Sequence, residues 1–176
     1  MEGHSAQQKQ TKTHHVTIPP FDSAHSIVNS LHSRDPAALI AALTQIDKRA
    51  AALNAKPAPR ASPDLLLDYL QQNPGCEGIF AAWDLANKTN SSPLSAAVLS
   101  TLTSLLRLLS TDPFTPSPVL IKTLLSAQYT PYLERALNPG RNDVTTAALK
   151  MCNVLVGFAG GRFARRVFGA FGWSPK

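Results

Sequence analysis

One dipeptide pattern punctuates this chain and limits what it can fold into: a residue with a side-chain oxygen, followed by proline. It occurs at Asp35-Pro36, Ser62-Pro63, Ser92-Pro93, Ser117-Pro118 and Thr130-Pro131. A Ser, Thr or Asp oxygen accepts a hydrogen bond from an orphaned N–H in the first turn of a helix. Proline at the first helical position has no N–H to satisfy, and its φ is already near the helical value. Each mark is therefore expected to open a helix, and each is followed by an apolar pattern of helical period.

The segments follow in order. Phe21-Asp22 opens a short helix to about His32, with Ile27, Val28 and Leu31 on one face. Pro36 to Leu53 carries Leu39, Leu43, Ile46, Ala50 and Leu53, and Lys56-Pro57-Ala58-Pro59-Arg60 reads as a linker. Pro63 to Gln72 carries Leu66, Tyr69 and Leu70 and stops at Asn73-Pro74-Gly75; Glu77 to Lys88 carries Ile79, Phe80 and Trp83. Leu94 to Leu109 has the strongest pattern, through Val98, Leu102, Leu105, Leu106 and Leu109. Val119–Tyr129 and Tyr132–Leu137 are short, and Asn138-Pro139-Gly140 is a second stop. Asp143 to Phe158 forms another helix, and a last one starts near Arg162. No stretch alternates with period two over a strand's length, so the chain reads as all-α. Many short helices with tight turns suit an armadillo/HEAT-like α-solenoid of antiparallel helix pairs. An irregular helical bundle is the alternative, since no clean sequence repeat is visible.

Charge is unevenly placed. The net formal charge is +6 over 176 residues. From Pro139 onward Arg141, Lys150, Arg162, Arg165, Arg166 and Lys176 face one acid, Asp143, so nearly all the excess sits there. Between Ala61 and Asn87 the order reverses: Asp64, Asp68, Glu77 and Asp84 occur with no base. A basic end favours anionic partners, and an acidic middle favours basic ones. Residues 1–20 are polar, hold His4, His14 and His15, and read as a disordered tail without the apolar core of a signal peptide. The organisation expected is that tail, then helices and a Pro/Ala linker over 21–61, then a helical-repeat domain over 62–176. The uncharged run Thr89–Leu106 is rich in Ser and Thr and reads as a core helix rather than a membrane span. Cys76 and Cys152 have neither disulfide nor zinc spacing and read as small buried apolar residues of a soluble, intracellular protein.

No catalytic constellation emerges, so no enzyme activity, cofactor, metal or small-molecule substrate is expected. Gly157, Gly160 and Gly161 follow a helix rather than a strand and lack the Lys-Ser/Thr pair of a phosphate loop; they read as points of close helix approach or a kink. Asp64 and Asp68, four apart, are better explained by a helix N-terminus and a solvated face than as paired acids. GRFARRVFGAF loosely resembles a strand motif of RNA-recognition domains, but an all-helical chain offers no strand for it. As a helix, the stretch sorts into an apolar side (Phe163, Val167, Ala170, Phe171) and a basic side (Arg162, Arg165, Arg166). The basic side, with Arg141 and Lys150, is the candidate surface for RNA phosphates or an acidic protein. A solvated helix face is the plain alternative.

Three stretches carry a family resemblance: LLLDYLQQNPGCEGIFAAWD (65–84), LIKTLLS (120–126) and YLERALNPGRNDVTTAALKMCNVLVGFAGGRFARRVFGAFGWSPK (132–176). Together they resemble the N-terminal domain of the nucleolar pre-ribosomal-associated proteins, over about Pro63 to Lys176 and in a fungal version. The resemblance implies an armadillo-like helical array. It also implies a scaffold role in nucleolar assembly of the large ribosomal subunit and maturation of its rRNA, beside other pre-60S assembly factors including a DEAD-box helicase. It brings no catalytic residue and no residue-level binding motif. Members of the family are much longer, so the chain is expected to be a truncated version with Phe168, Phe171 and Trp173 partly uncovered. The competing expectation is a helical adaptor that binds only proteins, or an inert fragment.

Overall fold

A computed structural model describes residues 16–55, 64–111, 117–138, 140 and 142–170, with 110, 111, 117, 118 and 157–170 as backbone only. The polar segment 1–15 and the linker 56–60 lie outside the described residues, as do Ser62-Pro63 and Phe171 to Trp173. The described residues form eight α-helices and no strand: α1 (Ala24–Leu31), α2 (Pro36–Asn54), α3 (Leu65–Gln72), α4 (Glu77–Lys88), α5 (Ser92–Thr111), α6 (Ser117–Leu124), α7 (Thr130–Ala136) and α8 (Asn142–Ala170).

Some helix starts follow the cap–proline reading and others shift. Asp35 caps α2 as expected, its carboxylate accepting from Ala37 N–H at 3.0 Å, with Pro36 at the first position. α1 starts two residues later than Phe21-Asp22, because Ser23 and Ser26 close a reciprocal capping box. α3 is capped by Asp64, which accepts from Leu66 N–H at 2.8 Å. At α5 the hydroxyl accepting from Leu94 N–H belongs to Ser91, so Ser92 lies inside the helix. Thr130 is likewise the first residue of α7, and its hydroxyl donates to the Ser126 carbonyl at 2.9 Å instead of capping.

α5 is the centre of the core. It packs against α2, α4, α6 and α8, and Leu94, Val98, Leu99, Leu102, Leu105, Leu106 and Leu108 are all fully buried. A helix apolar around most of its circumference must be enclosed. Ser92–Leu109 has the length and composition of a membrane span, but most of it is enclosed by its neighbours here. On the α2 side, polar groups fix the pairing. Ser100 and Ser104, one turn apart on α5, both donate to the Asp47 carboxylate of α2. The Thr101 hydroxyl lies 3.1 Å from the Leu43 carbonyl, and Asn54 Nδ2 donates to the Ser104 carbonyl at 3.2 Å. Sliding either helix would break this set, at about 1–3 kcal/mol for a buried group such as the Thr101 hydroxyl left unsatisfied, and less for Ser100, which is exposed. The segment before α1 also lies along α2, since Gln45 Nε2 donates to the carbonyls of Ile18 and Pro19.

The turns are tight for identifiable reasons. α4 ends in a Schellman motif: Asn90 adopts a left-handed φ of 54°, and Ser91 N–H donates back to the Ala86 carbonyl at 2.9 Å. Ser91 then caps α5, so the three residues Thr89, Asn90 and Ser91 reverse the chain. α4 begins at Cys76, also left-handed at φ 51° and almost fully buried. Two residues on, a Cβ at Gly78 would meet Leu31 Cβ of α1 at 2.9 Å, so only glycine lets α1 and α4 approach this closely. On α8 the structure corrects the sequence reading: Gly157, Gly160 and Gly161 end nothing, and one helix runs from Asn142 to Ala170.

Candidate nucleic-acid interface

The five basic residues singled out by sequence are placed unequally. Lys150 is exposed on α8, and Arg141 lies outside the described residues. Positions 162, 165 and 166 belong to the same helix as Lys150, and their side chains lie outside the described residues. Register supplies a further relation. α8 faces the core through Val144, Ala148, Met151 and Leu155. At about 100° per residue, positions 162 and 166 continue that line, whereas 163, 167 and 170 continue the line of the exposed Leu149. The backbone thus aligns the two apolar runs of α8 with different faces of one helix.

The acidic residues of the middle segment do not all remain available to partners. Asp64 takes a two-pronged contact from Arg49, with Nη2 at 3.0 Å from Oδ2, besides capping α3. Burial alone would raise the Asp64 carboxyl; the Arg49 hydrogen bond, the Leu66 N–H and the Arg49 charge outweigh it and hold the carboxyl below its ordinary value. Asp84 Oδ2 accepts from the Tyr129 hydroxyl at 3.4 Å, while its buried Oδ1 has no hydrogen-bond partner. Burial and the Asp84 carboxylate push Tyr129 up to about 12. Glu77 stays exposed.

Sequence reasoning missed a second feature, an aromatic cluster between α4 and α7. Phe80, Trp83, Tyr129 and Tyr132 pack ring on ring, with Trp83 stacked on Tyr129 at 5.7 Å and edge-on to Tyr132 at 5.8 Å. The Arg135 guanidinium lies 5.0 Å over the Tyr132 ring, one turn further along α7. Beside this pair opens a cleft of about 340 Å³. α4 supplies Trp83 and Asn87 to its wall, α7 Tyr132 and Arg135, the following turn Asn138, and the start of α8 Val144. Arg135 is the one charged group among the described residues lining it, and Asn87, Asn90, Asn138 and Ser95 provide the other polar groups. The i, i+3 spacing of Tyr132 and Arg135 was the available signal. Their meeting with Trp83 across nearly fifty residues was not.

Among the described residues, no group of His, Cys, Asp and Glu is arranged to hold a metal ion. Cys76 is pushed up to about 12 and Cys152 to about 11, each by burial first, so neither thiol is activated.

The basic α8 and the aromatic cleft both fall within one matched segment. Residues 76–176, more than half of the chain, match the family model Npa1, described as ribosome 60S biogenesis N-terminal. The chain belongs to that family, whose description places it in biogenesis of the large ribosomal subunit. The match begins at Cys76, the buried left-handed residue that starts α4, and runs through α5 to α8. No curated protein and no solved structure matches the chain.

Proposed function

We propose that this protein is a non-catalytic scaffold in nucleolar assembly of the 60S subunit and maturation of its rRNA. The single observation that carries the reading is the family match over α4–α8. Such a scaffold presents surfaces, and an enclosed α5 with short helices around it is a frame suited to that. The proposed arrangement is an armadillo-like stack with α4/α5 and α7/α8 as successive pairs, a reading supported by the packing of α4 on α5, of α7 on α8 and of α5 on α8. Lys150 and the positions of Arg162, Arg165 and Arg166 give α8 its excess of positive charge; these residues and Arg141 contact pre-rRNA phosphates or an acidic assembly factor. Other pre-60S factors, a DEAD-box RNA helicase among them, are the protein partners that the family resemblance implies.

Affinity purification of the tagged chain from nucleolar extract tests the reading. Recovery of early pre-60S factors with precursor rRNA is expected, and recovery of neither overturns it. The basic residues have their own test. RNA affinity should fall steeply with salt, and Arg162→Ala/Arg165→Ala/Arg166→Ala should flatten the slope by about 0.7–0.9 for each phosphate no longer neutralised. An unchanged slope removes the arginines from the RNA-binding surface.

A further inference from the structure

We propose that the α4–α7–α8 cleft is a pocket for one unpaired base of a single-stranded RNA. The inference rests on the reading that the chain contacts RNA, and adds to it a site distinct from the α8 arginines. A nucleobase is flat and polarisable on its faces and carries hydrogen-bond donors and acceptors around its edge. The cleft offers a matching set of groups. The Tyr132 ring carries the Arg135 guanidinium at 5.0 Å, which pairs two planar groups at the wall. The Arg135 Nε donates to the Pro131 carbonyl at 3.3 Å, which holds the guanidinium over the ring, and aromatic rings and arginine guanidinium groups are the surfaces on which unpaired bases stack. Trp83 holds Tyr132 edge-on at 5.8 Å, so the platform is braced from behind.

Edge recognition falls to the amides. Asn87 and Asn138 line the space; the Asn87 Oδ1 is an acceptor, and the Asn138 amide carries both a donor and an acceptor, the groups that read a base edge. The Asn87 Nδ2 is engaged with the Trp83 carbonyl at 2.9 Å, which holds that side chain in place. Val144 and the small Ala136 close the remaining wall. Arg135 is the one charged group among the described residues lining the cleft and is placed to meet the phosphate that accompanies a nucleotide; the neighbouring Asp84 carboxylate is taken up by the tyrosine hydroxyls. The volume of about 340 Å³ is enough for one base. A duplex is excluded because its bases are not splayed out. An acidic peptide would also be drawn to Arg135, but it would not need a guanidinium–tyrosine platform flanked by amides.

The test uses the full chain and a fluorescent single-stranded RNA of mixed sequence, with the matching duplex and an acidic peptide as competitors. The wild-type chain should prefer the single strand. Removing one stacked base corresponds to about a 5- to 100-fold loss of affinity, and Tyr132→Ala and Arg135→Ala should each fall in that range. Tyr132→Phe should retain affinity because it keeps the ring; Arg135→Lys should lose part of it, because it keeps the charge without the plane. A 4-thiouridine-substituted RNA should photo-crosslink to the peptide spanning 129–140. Unchanged affinity in Tyr132→Ala and Arg135→Ala, while the triple arginine variant of α8 loses binding, overturns the pocket and leaves the arginine surface standing. Equal competition by duplex, or stronger competition by the acidic peptide, also overturns it. Failure of the chain to bind RNA at all removes the pocket and the RNA role of the arginine surface together, while co-purification with pre-60S factors decides the scaffold reading separately.

Discussion

The α2–α5 seam and the α4–α7–α8 cleft both join helices distant in sequence, but they treat polar side chains differently. In the seam the polar groups are spent on each other: Ser100 and Ser104 grip Asp47, and Thr101 reaches the Leu43 carbonyl. Little is left for a partner beyond the Asn54 Oδ1, which is buried without a hydrogen bond. In the cleft the aromatic rings pack together, yet Arg135 stays exposed on Tyr132 and three asparagines border open space. The lesson is that polar side chains closing a seam specify the fold, whereas polar side chains lining a space specify a ligand. If so, substitutions in the two regions should separate stability from binding.

The largest effect belongs to the seam's apolar centre. Leu102 is fully buried on α5, and Leu102→Ala should cost about 2–5 kcal/mol through the cavity it leaves. Urea denaturation checks this; a destabilisation under about 1 kcal/mol would mean that α5 is not the enclosed helix described. Asp47→Ala comes next, at about 1–2 kcal/mol, because it removes the acceptor of the part-buried Ser104 hydroxyl, whereas the exposed Ser100 turns to water. The same denaturation series should show no such cost in Ser100→Ala/Ser104→Ala/Asp47→Ala, where all the partners leave together.

A smaller effect comes from Asp64, at the junction of α2 and α3. Its carboxyl is held below the ordinary 3.8 in the folded chain. A depressed folded pKa adds stability that is complete above the unfolded value and is lost as pH falls through the folded one. Asp64→Asn should therefore cost under about 1 kcal/mol at neutral pH, since the cap survives and the ion pair is part-exposed. It should also reduce the loss of stability as pH falls below about 4, and acid titration of the melting temperature reads this directly. Smallest of all is Arg135→Ala, within about 0.5 kcal/mol for an exposed side chain, although the same change should weaken RNA binding. A large destabilisation by that variant would break the comparison, because the cleft would then be part of the structural frame.

Much of the frame was legible from local chemistry. Asp35 before Pro36 and the span Glu77–Lys88 were readable because cap or stop signal and apolar period agreed at those points. The starts of α5 and α7 are displaced by one residue: Ser91 does the capping of α5 in place of Ser92, and the Thr130 hydroxyl turns back to the Ser126 carbonyl, so α7 starts without a side-chain cap. Glycines at 157, 160 and 161 read as a point of close approach or a kink between two helices, yet a glycine costs a helix only about 1 kcal/mol relative to alanine. That was not enough to end α8. The basic run was visible because charge is written in the sequence. The cleft was not, because it exists only once Trp83, Tyr132 and Val144 are brought together by packing on α5. Family membership came from the long C-terminal string, which pattern alone could not interpret.

The division between a closed seam and an open cleft can be read in one hydrogen-exchange measurement on the full chain, with and without a saturating single-stranded RNA oligomer. The account predicts new protection in the end of α4, in α7 and the following turn, and in α8, with the α2–α5 seam around Asp47, Ser100 and Ser104 unchanged. Protection gained at that seam, or RNA bound with no change at 83–90 and 129–144, would contradict it.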